Sequence, residues 1–127
     1  MKKLLFIVLF LISNTLYSQL FIAKTFSFST IKRGEKWTPF SEKELVNFPI
    51  EVDSSDNLIV LHANKLQVYT IYKSNVFINE GEKVYYFYCE DKDKLSCIIL
   101  LALDRNGLNK NEMEIMYSNA KIKYELK

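Results

Sequence analysis

The chain has 127 residues, 49% of them hydrophobic and 14% aromatic, with 17 basic and 15 acidic side chains. That length suits one domain, and that apolar content excludes intrinsic disorder. The formal charge of +2 forms no basic stripe, so no nucleic-acid partner is expected.

Residues 1–18 read MKKLLFIVLFLISNTLYS. Lys2 and Lys3 make a positive start, residues 4–12 an apolar core, and small or polar residues follow. This is the plan of a secretory signal peptide. The core is too short to span a bilayer, which needs about 20 residues. The expected cut follows Ser18, although Leu16 is bulkier than the residue usually found there. The mature chain, residues 19–127, is then a single all-β domain without a transmembrane segment. It is expected to be exported, to the periplasm or beyond. Loss of Lys2 and Lys3 leaves 15 basic and 15 acidic residues, so the net charge belongs to the targeting segment. Export also makes the two cysteines a disulfide candidate.

Residues 21–30 alternate, with Phe26 and Phe28 on one face and Thr25, Ser27 and Ser29 on the other. Residues 30–44 form a long connection with Trp37 and Phe40. It ends in one candidate helical turn over 41–46, where Ser41 and Glu44 have capping-box spacing. In residues 45–53, Val46, Phe48, Ile50 and Val52 share a side, and Pro49 asks for an edge or a bulge. A turn at 54–56 leads to a strand over 57–63. Asn64 and Lys65 turn the chain into a strand over 66–73, and residues 73–82 read as a second long connection. A hairpin follows, 83–90 and 96–104. A turn signal at Asp104, Asn106 and Gly107 precedes strands over 112–117 and 120–127. Eight short strands with mostly tight connections make an antiparallel meander. A small closed or nearly closed up-and-down barrel is expected, with a two-sheet β-sandwich as the alternative.

The hairpin holds both cysteines. A turn centred on Asp93 sets Cys89 opposite Cys97, Phe87 opposite Ile99 and Tyr85 opposite Leu101. A Cys89–Cys97 disulfide is expected from this register and from export. The other face is apolar too: Tyr86, Tyr88, Ile98 and Leu100. Either the 30–44 segment covers that face, or it is an interaction face for a protein partner or a second subunit.

In a meander the odd-numbered connections share one end. Trp37, Asn64, the 90–94 turn and Asn119 therefore gather at one barrel mouth, where Trp37 is expected as a plug. His62 is the single histidine, and neither a nucleophile nor a carboxylate partner for it is legible. One His and two Cys at this spacing form no zinc set. Asp104, Asn106, Gly107 and Glu112 match a calcium loop poorly, because the glycine falls too early. No catalytic, metal or cofactor residue is assigned. Gly34 and Trp37 depart from the lipocalin Gly-x-Trp pattern in spacing and position, so that family is not claimed. The expected protein is a non-enzymatic binding or interaction module. A lipocalin-like carrier of a small apolar ligand is the first alternative, and a small hydrolase or isomerase using His62 the second.

Overall fold

The computed structural model describes residues 19–32, 34–79, 81–104 and 111–127. Residues 1–18, with the expected signal peptide, and most of the 104–112 turn, with its calcium-like pattern, lie outside the described residues. The strands are β1 (Gln19–Thr30), β2 (Glu44–Asp53), β3 (Leu58–Leu61), β4 (Gln67–Asn79), β5 (Glu82–Glu90), β6 (Ser96–Asp104), β7 (Asn111–Met116) and β8 (Ala120–Leu126). Each pairs antiparallel with its neighbour in sequence, and β8 pairs back onto β1 to close a barrel. Closure removes the sheet edges that a sandwich would leave open.

Alternation decides which side chains fill the interior. Ile50 and Val52 of β2, Ile59 and Leu61 of β3, Ile99 and Leu101 of β6, and Met113 and Ile115 of β7 all face inward and are buried. Phe26, Phe48 and Tyr124 add an aromatic group, with Tyr124 5.7 Å from Phe26 and edge-on to Phe48 at 5.5 Å. Bulges at Ala23/Thr25 in β1 and Ile71/Lys73 in β4 interrupt the ladders. Such insertions bend a strand and increase its twist. Pro49 lies within β2 and not at an edge. Its carbonyl accepts the His62 N–H just past the end of the β3 ladder. A missing N–H on that same side therefore breaks no ladder bond.

Two expected connections take other shapes. Residues 41–46 form no helical turn. Instead Thr38 N–H donates to Thr30 O and Ser41 N–H to Phe28 O, so the segment runs beside the end of β1. One isolated turn gains few hydrogen bonds for the order it requires, and the β1 end offers its partners already in place. Residues 73–82 are not a long loop either. β4 continues to Asn79, which pairs with Glu82, and Gly81 beside it takes a φ of +84°. β3 ladders onto β4 only as far as Thr70, so the later part of β4 runs on beyond it. Val76, Phe77 and Ile78 are consequently exposed, although each has strand character.

Candidate functional site

The β5–β6 hairpin has the register read from its sequence. Cys89 faces Cys97, Phe87 faces Ile99, Tyr85 faces Leu101, Tyr86 faces Leu100 and Tyr88 faces Ile98. The expected disulfide is absent, and both cysteines are free, buried thiols. The loop geometry supplies a reason. Asp91 N–H donates to Leu95 O at 2.9 Å, and Lys94 takes a left-handed φ of 66°. Counting back from that closing pair makes Cys89–Cys97 a hydrogen-bonded pair, the wide kind, with Cα atoms about 5.5 Å apart. Its Cβ atoms lie near the far end of the cross-strand range, about 5.5 Å, whereas a disulfide needs about 3.5–4.5 Å. Burial pushes the Cys89 thiol up to about 12, with Cys97 beside it adding to the effect. Burial and then Asp91 push Cys97 to about 11. Neither is a thiolate at neutral pH, so neither is a ready nucleophile. In the folded protein at pH 8, both should resist iodoacetamide for hours and react within minutes in guanidinium. Fast labelling of the native protein, followed by mass spectrometry, would show that burial does not protect them.

Outside the wall, the 31–43 arm covers β1 and β8, not the Tyr86/Tyr88/Ile98/Leu100 face. Ser29 Oγ donates to Thr38 O, Phe28 N–H donates to Ser41 Oγ, and Thr30 N–H donates to Thr38 Oγ1. Ser27 and Ser29 are buried beneath the arm. Farther along, Lys43 pairs with Glu125 at 2.9 Å, and Thr25 Oγ1 donates to the same carboxylate at 2.8 Å. The Glu125 hydrogen bond and charge raise the Lys43 pKa. Lys121 places its Nζ 4.3 Å from the Trp37 ring centre, and Lys123 does the same over Phe40. Trp37 therefore lies against the outer wall, and the expected plug in the barrel mouth is not its role.

From Trp37 a groove of about 540 Å³ opens across the outer face. Ile98 and Met116 lie within it, and Tyr72 and Tyr88 line it on the β4–β5 side. Its volume falls in the usual range for ligand sites, about 300–1,000 Å³. Of the four residues expected to form an interaction face, Tyr88 and Ile98 enter the groove. Tyr86 instead packs edge-on against Phe77 at 5.3 Å, and Leu100 lies opposite Tyr86 and Glu114. Met116, Tyr72 and Lys121 were not legible as site residues. Met116 is the odd apolar residue on the polar face of its own strand, beside Glu112 and Glu114, which was a signal. Tyr72 is turned by the β4 bulge, and Lys121 sits on a polar face like many surface lysines.

The mouth is a separate place. A cavity of about 270 Å³ lies among Lys65, Gln67, Tyr69, Asp91, Lys92 and Tyr117. Tyr117 OH donates to Asp91 Oδ2 at 2.9 Å, and Tyr69 OH donates to Gln67 Oε1 at 3.1 Å. Asp91 Oδ1 accepts the N–H groups of Asp93 and Leu95, which builds the loop. Desolvation pushes its carboxyl up, but these bonds and that from Tyr117 outweigh it and hold the pKa low. Asn64 and His62 line a further cleft with Phe48 and Gln67. His62 does have a carboxylate neighbour, Glu51, at 3.4 Å, though the His62 side chain is exposed. No group of three or more His, Cys, Asp or Glu is placed to hold a metal among the described residues. No helix among them is long and apolar enough to cross a membrane.

No family model matches the chain, and neither a curated protein nor a solved structure matches it significantly.

Proposed function

We propose that this chain is a small exported binding module without catalysis of its own, whose partner docks in the groove beside Trp37. One observation carries this reading: an apolar groove, walled by aromatic rings, assembled from β4 to β8 and the arm. Interfaces favour such surfaces, since aromatic and methionine side chains are enriched where partners meet. The arm itself needs no partner for order, because the ladder end and Lys43–Glu125 hold it. Export rests on the composition of residues 1–18. The carrier alternative has a weaker basis, because inward side chains from all eight strands meet in one cluster. Catalysis by His62 would depend on an exposed histidine and carboxylate pair.

The test is native mass spectrometry of the protein purified from its own host. Wild type should carry a bound partner. An Ile98→Lys variant with an unchanged melting temperature should lose it by tenfold or more. Val76→Lys, at the far end of β4, should keep it. Undiminished retention by Ile98→Lys would overturn the groove as the docking site.

A further inference from the structure

We infer that the free edge of β4 pairs with the same edge of a second copy of this chain, joining two barrels through one continuous sheet. The inference goes beyond the groove and does not depend on it. β3 ladders onto β4 only from Gln67 to Thr70, whereas β5 follows β4 to Asn79. The Ile71 N–H still finds a partner on the β3 side, the Asn57 carbonyl. Past Ile71, no backbone bond reaches β4 from that side among the described residues. Closure therefore leaves one stretch of edge open, and Phe77 and Ile78 on it are 56% and 63% exposed.

Ladder parity identifies the outward-facing groups. The Asp91–Leu95 loop bond makes the odd residues of β5 bond to β6. Its even residues, Glu82, Val84, Tyr86 and Tyr88, then bond to β4, where they face Asn79, Phe77, Asn75 and Lys73. Ser74, Val76 and Ile78 point their N–H and C=O groups the other way, off the open edge. Each offers one donor and one acceptor. A strand presents the matching row, which fixes the kind of partner.

The edge is also complementary to itself. Antiparallel pairing about a two-fold axis at Val76 sets Val76 against Val76 and Ser74 against Ile78. All three residues of both copies then exchange their bonds. Lys73 is the one charged side chain from Tyr72 to Asn79. In this register it falls opposite position 79 of the second copy, so the two lysines do not meet. Glu82 pairs with position 79 on β5. It is thus two strand spacings from the second copy's Lys73, about 10 Å, a span that two long side chains close. Sheet edges are commonly guarded by charge or proline, and Ser74–Ile78 has neither. Insertion of this hairpin into a bilayer is disfavoured, because the charged Glu82 and Lys83 begin its second strand.

The test is sedimentation equilibrium of the protein purified from its own host. Wild type should be dimeric at submillimolar concentration. Val76→Lys sets two lysines against each other at the axis. Val76→Pro removes an N–H that β5 does not use, which an edge tolerates. Each should weaken association by about tenfold or more, with near-ultraviolet circular dichroism unchanged, because like charges or a lost donor now meet across the pair. Val76→Thr, which keeps the backbone groups, should keep the dimer. Hydrogen exchange adds a readout that alternates along the strand. The amides of Ser74 and Ile78 should be slow in wild type and about tenfold faster in Val76→Lys. Those of Asn75 and Phe77, bonded to β5, should stay slow in both. A wild type that remains monomeric, or a dimer that survives both Val76→Lys and Val76→Pro, would overturn the pairing. A monomer whose Ser74 and Ile78 amides slow only when another protein is added would overturn the second copy and leave the edge to that protein's strand.

Discussion

Raising the pH from 9 to 12 should unfold the barrel steeply. The cause is a set of acids that the fold keeps neutral. Burial pushes Tyr69 and Tyr124 up to about 12. Cys89 and Cys97 rise to about 12 and about 11. Tyr117 also rises, by burial first and then by the neighbouring Tyr69 phenol and the Asp91 bond it donates. Unfolded, a thiol ionises near 9 and a phenol near 10. Between those values and the raised ones, the unfolded chain has released protons that the folded chain still holds. Stability then falls as pH rises. Each such group contributes about 1.4 kcal/mol of loss per pH unit across its window. Below pH 9 the contribution is complete and flat. Several groups acting together approach the whole stability of a small domain, about 5–15 kcal/mol. Urea midpoints measured from pH 7 to 11 should hold level to about pH 8.5 and then drop. Absorbance at 295 nm should show late phenol ionisation coinciding with loss of near-ultraviolet circular dichroism. Tyr124→Phe, which keeps the ring against Phe26 and Phe48, should reduce the slope by about one proton. A midpoint that stays level to pH 11 would mean these groups reach water without unfolding.

Ile99→Ala should be the most damaging single truncation of the hairpin. Ile99 is fully buried, with Phe87 opposite it on β5 and Ile115 opposite it on β7. Removing a buried isoleucine to alanine costs about 2–5 kcal/mol, because transfer energy is lost and a cavity remains. In a closed barrel the neighbours are tied on both sides, so collapse into the gap is restricted. Leu100→Ala makes the comparison sharp. Leu100 is the next residue, points outward and is only half-buried, so its truncation should cost less than half as much. Thermal and urea unfolding of the two variants measures both. Equal losses would mean that the two faces of β6 are equally buried, against the pattern of the barrel.

The faces of this barrel were legible because alternation is a local property. In β2, Val46, Phe48, Ile50 and Val52 repeat every second residue, and a one-residue slip would turn all of them to water. The hairpin register followed from chain length around Asp93 alone. Closure followed from the one-sided pattern of the last strand, Ile122, Tyr124 and Leu126. Three other features depended on hydrogen bonds and contacts that residue pattern does not show. The state of Cys89 and Cys97 turned on which kind of ladder pair they occupy, and that is set by the loop bond between Asp91 and Leu95. The length of β4 turned on β5 continuing as its partner past the end of β3, which polar residues at Ser74 and Asn75 concealed. The groove required the arm to lie on β8, and that contact is made by Lys121 and Trp37, 84 positions apart. Residue pattern determined which side chains face in and which face out. Only the folding of the arm onto the wall decided where the outward aromatic residues, with Trp37, enclose a place to bind.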